Sequence, residues 1–287
     1  MTITAVWNPA SGSAPDEADL RDALTDSAEL VKTTAEDPGP GQTHAAVASG
    51  ASTVVACGGD GTIRACLKPL LHSNTALDIV PLGTGNLLAA NLDIPSGLSA
   101  AGDAGHRPQT TIDVGMVNGE AFAVMAGSGF DAYMIRDADE SAKSRLGRLA
   151  YVMSAAKHLA DALTPTSVYV DDELWFRGRT SMVLVGNYGV VTGGLVVFPD
   201  AKPNDGLLDV AVLAAEAGRE WGSVLWRLVR KQTQKPELVS RAQGRTIRVE
   251  TTRKRPYELD GEARAGVRRL EFSIEEQALK IHHGVSS

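Results

Sequence analysis

Aromatic side chains supply only 5% of this chain, which excludes the stacking platforms of single-stranded nucleic-acid binders. Basic residues are outnumbered, 28 against 35 acids. The net charge of −7 rules out a general polyanion-binding surface, and no nucleic-acid partner is expected. Cysteine occurs twice, at Cys57 and Cys66, in apolar surroundings. A disulfide framework is not expected, and a reducing cytoplasm suits the chain. No apolar run approaches the roughly 18 residues that cross a bilayer. The opening MTITAVWNPASG lacks a basic region followed by an apolar stretch, so no signal peptide is expected. There is no Gly-Lys pair for a Walker A loop, no G-x-G-x-x-G behind a strand, and no G-x-S-x-G elbow. Histidines 44, 72, 106, 158, 282 and 283 show no metal-ligand spacing beyond the adjacent terminal pair, and no chemistry is assigned to them.

What remains is a chain of 287 residues, 43% hydrophobic and 22% charged, enough for two modest packed domains. Through residue 100 short apolar runs alternate with helical patterns. ITAVW, AELVKTT, STVVAC and LDIVPLG read as strands. DEADLRDALTDSAEL, THAAVASGA, TIRACLKPLLHS and NLLAANLD read as helices. That rhythm predicts βαβ units and a mostly parallel, Rossmann-like sheet over 1–112. From about residue 110 strands dominate, joined by polar or glycine-bearing connectors such as VNGE, NDG and DGE. A mainly β domain, an antiparallel sandwich, is expected over 113–287. Helical patterns interrupt it at about 137–162 and 216–232, and its extreme C-terminus is a candidate to return to the first domain.

Two glycine-rich segments fall where parallel strands end: Gly58-Gly59-Asp60-Gly61-Thr62 and Pro81-Leu82-Gly83-Thr84-Gly85-Asn86. Ligands of parallel sheets sit beyond the carboxyl ends of the strands. Each segment runs at once into a helix, so backbone amides and a positive helix end face the same space. Glycines let that backbone approach an anion such as phosphate. A carboxylate at Asp60 would repel phosphate unless a divalent cation or a reacting hydroxyl lay between them, as in phosphoryl transfer. Two tight turns without a ligand are the plainer alternative.

The order GGDGT…PLGTGN resembles the catalytic domain shared by diacylglycerol kinases, sphingosine and ceramide kinases and their soluble bacterial relatives. NPASG (8–12), AGSGFDAYM (126–134), PDAKPNDGLLDV (199–210) and ELDGE (258–262) are similar to further stations of that family, in the same order. Two departures stand out. IRAC follows GGDGT where many relatives carry Asn-Glu, and Leu87-Leu88 follows GTGN where many carry Asp-Phe. NAD kinases share Gly-Gly-Asp-Gly but generally lack the following PLGTGN and the closing DGE.

The resemblance implies an active site in the cleft between the domains and an ATP- and Mg2+-dependent kinase acting on a lipid hydroxyl, diacylglycerol first. Glu262 is then the general base, and Asp60 orients a metal or its water. Asn8, Thr34, Thr62, Thr84 and Asn86 contact the nucleotide, together with the amides of Gly58, Gly59, Gly61, Gly83 and Gly85. A magnesium site forms from Asp205 with the carbonyls of Lys202 and Leu207, and Asp131 meets the acceptor's head group. From the residues alone, Asp205-Gly206 is a hairpin turn, Asp131 a turn aspartate and Glu262 a hairpin acid. A soluble acceptor such as NAD, or a regulator that binds without turnover, are the competing readings.

A lipid acceptor implies a cytoplasmic protein in transient contact with a membrane surface. In WGSVLWRLVRKQ (221–232), Trp226 falls beside Arg227, Arg230 and Lys231, which suits a headgroup interface. Packing of that helix on its own domain is the alternative. Residues 241–269 hold nine Lys or Arg against four acids and read equally as a solvated strand face or an anion-binding surface. A homodimer stays open.

Overall fold

A computed structural model describes residues 2–25, 28–129, 163–191, 195–213 and 239–284. The expected helical patterns at 137–162 and 216–232 lie outside the described residues.

The first part of the chain runs β1 (Ile3–Trp7), α1 (Glu17–Ala23), β2 (Ala28–Lys32), α2 (Pro40–Ala48), β3 (Thr53–Gly58), α3 (Asp60–Leu70), β4 (Ala76–Pro81) and α4 (Leu87–Asn91). Every residue of β1, β3 and β4 is buried. Such uninterrupted burial marks a parallel sheet covered on both faces. The strands lie in the order β4-β3-β1-β2, all parallel. The chain thus leaves β1 toward β2 and returns on the other side of β1 to β3. That reversal opens a crevice at the carboxyl ends of β1 and β3. α3 buries Thr62, Ile63, Cys66, Leu67 and Leu70, a stripe at helical spacing that seats it on the sheet. α1 is shorter than its sequence pattern, because β2 begins at Ala28 and claims the Ala-Glu-Leu end of it.

The strands that follow are β5 (Gln109–Val117), β6 (Glu120–Phe122), β7 (Met125–Gly129), β8 (Thr164–Val170), β9 (Glu173–Thr180), β10 (Met182–Gly186), β11 (Val190–Val191), β12 (Leu195–Val196), β13 (Leu208–Leu213), β14 (Val239–Gly244), β15 (Thr246–Leu259) and β16 (Glu262–His282). Apart from the small β11–β12 pair, the described strands join one mixed sheet, parallel at its amino-terminal end and antiparallel through β5–β10 and β13–β16. A second core lies within the antiparallel part, around Phe122, Val185, Val210, Leu259 and Phe272. The Phe122 and Phe272 rings meet edge to face at 6.2 Å.

RTIRVETT and YELDGEAR read as separate strands, but β15 runs through both. Its pairing with β16 shifts register between Glu250 and Arg255 and again between Arg255 and Tyr257. These irregularities absorb the Arg-Lys-Arg-Pro stretch without ending the strand. Straight strands of 14 and 21 residues would reach roughly 45 and 70 Å, so bulges are what keep them within one molecule. β5 crosses position 113 without a break and pairs with β16, whose end also meets β4 at Ile281 and Leu77. Among the described residues no helix is long and apolar enough to cross a membrane.

Candidate active site

Three loops meet at the carboxyl edge of the parallel strands. The first follows β1. Asn8 donates its main-chain amide to the Cys57 carbonyl at 3.0 Å, accepts the Ala10 amide on Oδ1 at 2.9 Å, and donates from Nδ2 to Thr62 Oγ1 at 3.1 Å. Ser13 then donates from both its amide and its hydroxyl to the Leu82 carbonyl. The loop after β1 is therefore tied to each of the other two.

The second and third loops touch backbone to backbone. A side chain on Gly59 would bring its Cβ within 3.2 Å of Gly83 Cα, and one on Gly83 would come within 2.6 Å of Gly59 Cα. Only glycine permits that approach. Asn86 folds the third loop on itself: its Oδ1 accepts the Gly83 amide at 3.0 Å and its Nδ2 donates to the Gly83 carbonyl at 2.7 Å. It does so from a left-handed backbone, φ 49°, a conformation that asparagine tolerates better than most residues.

Asp60 clamps the two loops together. Oδ2 accepts the Asn86 amide at 2.8 Å and Oδ1 the Leu87 amide at 2.6 Å. The carboxylate that begins α3 thus caps the first turn of α4. Burial pushes its pKa up to about 6, against the pull of the Leu87 amide, with Asp260 adding to the rise. The amides of Gly61, Thr84 and Gly85 donate to no acceptor among the described residues. Thr84 and Gly85 are exposed.

Glu262 reaches this place from the far half of the chain. Its Oε2 lies 3.6 Å from where a Cβ on Gly61 would be. The turn that carries it is held by Asp260, buried and left-handed at φ 46°. Asp260 accepts the amides of Ala123, Val124 and Met125 at 2.9, 2.9 and 3.0 Å. Glu258 accepts the Gly261 amide at 2.7 Å. Around Glu262 stand Arg64 of α3, bonded to Oε2, and Arg264, whose Nη1 is 3.3 Å from Oε1. Arg264 Nε also bonds Glu120 Oε2 at 3.0 Å, and the Tyr257 hydroxyl donates to Glu120 Oε1 at 3.1 Å. Burial raises the Glu262 pKa, but the guanidiniums, Arg64 foremost, outweigh it and hold the carboxyl below its ordinary range.

The remaining site candidates lie elsewhere. Thr34 sits exposed beyond β2, where its hydroxyl accepts the Asp37 amide at 3.1 Å. The Lys202–Leu207 segment forms a turn in which Asp205 Oδ1 accepts the Leu207 amide at 3.1 Å. Buried Asp113 braces that turn: it accepts the Gly206 amide at 2.8 Å and donates its own amide to the Pro203 carbonyl at 2.7 Å. Gly206 has φ 75°, where a side chain would be strained. No three His, Cys, Asp or Glu side chains converge among the described residues. A cation in this turn would therefore rest on Asp205 and carbonyls, a donor set within the habits of magnesium. Asp131 and the Trp226–Lys231 segment lie outside the described residues. A hollow of about 240 Å³ lies apart from the three loops, beside Asn91, Ile112, Tyr188 and His283.

Arg64, Arg264, Glu120 and Asp260 were not among the expected site residues. Arg64 had a signal, since it occupies one of the two positions where the motif departs from its relatives. Asp260 lies within the ELDGE segment (258–262), whereas Glu120 and Arg264 depend on contacts between distant strands.

The amino-terminal residues 2–117 match the diacylglycerol kinase catalytic domain, and 124–283 match the YegS C-terminal NAD kinase beta sandwich-like domain. A protein of Pseudomonas aeruginosa (strain UCBPP-PA14) named "Probable lipid kinase YegS-like" is 32% identical over 83% of this chain and 78% of its own. The diacylglycerol kinase of Bacillus subtilis (strain 168) is 31% identical over 73% of this chain and 70% of its own. The fold is similar to that of a diacylglycerol kinase from Bacillus anthracis str. Sterne, with a TM-score of 0.72 at 18% identity over 99% of this chain and 97% of that one. It is more distantly similar to an NAD kinase from Archaeoglobus fulgidus solved with ATP, at 0.53 and 14% over 98% and 93%. A diacylglycerol kinase catalytic domain followed by a YegS-type β sandwich, with relatives matched across most of its length, places this chain in the diacylglycerol kinase and YegS-like lipid kinase family.

Proposed function

We propose that the protein transfers the γ-phosphate of ATP, with Mg2+, to the hydroxyl of a membrane lipid, diacylglycerol being the first acceptor to test and phosphatidic acid its product. One observation carries the reading. Glu262 of the β domain stands beside the first turn of α3, where the interlocked glycine loops leave amides free for an anion. Phosphoryl transfer depends mainly on positioning and electrostatics, and those are what the loops supply.

In this reading the phosphates lie against the amides of Gly61, Thr84 and Gly85 and the positive end of α3. Asp60 already serves two amides, but each oxygen keeps another lone pair. It can thus hold a water of the metal shell while it fixes the loops. Magnesium, when bound, would neutralise part of the charge of the phosphates. The acceptor oxygen forms its bond to the γ-phosphorus as the bond to the β-phosphate oxygen breaks. ADP leaves with that electron pair, and the alcohol proton passes to Glu262. Because the proton moves late in a loose transition state, a weakly basic carboxylate suffices. The acceptor is met at the bilayer surface.

The test supplies γ-labelled ATP and magnesium with diacylglycerol, ceramide, sphingosine, monoacylglycerol and NAD in turn. Label should pass into the organic phase with diacylglycerol and stay in ATP when magnesium is chelated. Label transferred to NAD alone, remaining in water, would replace the lipid reading with that of the NAD kinase fold neighbour. Nucleotide binding without transfer to any acceptor would leave a regulator.

A further inference from the structure

The two carboxylates, Glu262 and Glu120, and the two guanidiniums that pair with them are not equivalent. Arg64 is shared, bonded to Glu262 and 3.7 Å from Glu120. Its side chain is 15% exposed, and its Nε is buried without a partner. It sits one helical turn after Gly61, and helical side chains lean toward the amino end. Its guanidinium accordingly lies against the same Glu262 oxygen that borders Gly61, beside the free amides. Arg264 is more firmly engaged with Glu120, through Nε at 3.0 Å, and Tyr257 adds a hydroxyl to that acid. If Arg64 swung away, Glu120 would keep both of those donors, while Glu262 would keep only the longer contacts to Arg264, at 3.3 and 3.5 Å. The network is arranged to release one member.

We propose that Arg64 is a phosphate-binding residue that exchanges partners during the reaction: it holds Glu262 in the resting protein and moves to the γ-phosphate when the donor binds, freeing Glu262 to accept the alcohol proton. This rests on the kinase reading above. A terminal phosphate offers more charge than a carboxylate and can take two guanidinium bonds at once. In a half-buried site a preplaced cation stabilises the charge that builds on the transferring group. The same movement removes the cation that most suppresses Glu262. Base and donor are thereby coupled, and Glu262 gains basicity only when a γ-phosphate is in place. The other charged and titratable groups of this cluster are Arg264 on the same strand as Glu262, Glu120 of β6 and Tyr257 of β15. None of these lies on the helix that starts at the glycine loop, as Arg64 does.

The experiment compares wild type with Arg64→Ala, Arg64→Gln and Arg64→Lys, after thermal melting confirms each is folded. Calorimetry with magnesium measures binding of a non-hydrolysable ATP analogue and of AMP. The Ala and Gln variants should bind the triphosphate about tenfold or more weakly, a loss of roughly 1.4 kcal/mol or more, yet bind AMP within about twofold of wild type. Lys should recover part of the loss. In wild type the acidic limb of kcat should lie at higher pH than that of kcat/KM for ATP, because one reports the loaded enzyme and the other the enzyme before the donor binds. In the Ala variant that gap should fall to half or less. Triphosphate binding unchanged by all three substitutions, or lost equally with AMP binding, overturns the proposal. An undiminished gap between the limbs in the Ala variant does the same. If wild type phosphorylates no alcohol, the kinase reading fails, and the contrast between ATP analogue and AMP still decides for or against Arg64. If wild type binds no triphosphate, both fall.

Discussion

Replacing Asp60 by asparagine separates the cost of burying its charge from the gain of its two amide bonds. The carboxyl titrates at about 6 in the folded protein against an ordinary 3.8. Between those values the native state holds more protons than the unfolded chain, so stability must fall as pH rises from about 4 to about 6.5 and stay level above. From pH 5 to pH 7.5 this single group should cost wild type about 1.4 kcal/mol, on the order of half of the full linkage of about 3 kcal/mol. The asparagine side chain of Asp60→Asn cannot titrate. One of its two terminal atoms becomes an NH2 group facing a main-chain amide, and losing that charge-assisted bond costs roughly 1.5–3 kcal/mol. The two effects oppose each other. At pH 7.5, where wild type bears the full cost of the buried charge, the variant should be within about 2 kcal/mol of it. At pH 5 the variant should trail by about 1.4 kcal/mol more. Urea unfolding of both proteins at both pH values gives the double difference, in which every other titrating group cancels. A double difference near zero, or of the opposite sign, would refute the claim that burial dominates at Asp60.

Glu262→Gln should lower kcat at least a hundredfold in the labelled-ATP assay while triphosphate binding stays within about threefold, since the change removes a proton acceptor but no phosphate ligand; equal loss of binding would place Glu262 among the ligands instead. Gly83→Ala forces a Cβ to within 2.6 Å of Gly59 Cα and 2.8 Å of Asn86 Oδ1, so it should cost about 1–3 kcal/mol and weaken ATP-analogue binding. Gly102→Ala meets nothing within 4 Å and should leave melting temperature and binding unchanged, the control that separates close approach from the mere loss of a glycine.

The parallel half of the fold was legible because burial on both faces writes itself as unbroken apolar runs. ITAVW begins and ends where β1 does, and the glycine segments fall at strand ends as expected. The continuity of β15 was not legible. A local reading stops at Pro256, and only pairing with β16 and β7 carries the strand through its irregularities. For the same reason α1 was overextended: its helical pattern continues into Ala28–Leu30, but pairing with β1 takes those residues into the sheet.

Asp60 shows how far local sequence reaches into chemistry. Its place among three glycines announces a special backbone, and an acid there suggests a cation. What the carboxylate actually touches is the end of the next glycine loop and the first residue of α4, 26 and 27 residues away, a contact that no spacing rule encodes. Its acidity follows from that placement, since desolvation works against amide bonding and wins. Glu262 is a parallel case. Its motif gave the position, but its acidity is set by burial, which raises its pKa, and by Arg64, 198 residues distant, which with Arg264 outweighs that rise. A site formed where two halves of a chain converge thus has its membership written in motifs and its reactivity written in neighbours. For this protein the neighbour that differs from the family pattern, Arg64, is the one bonded to the carboxylate proposed as the base.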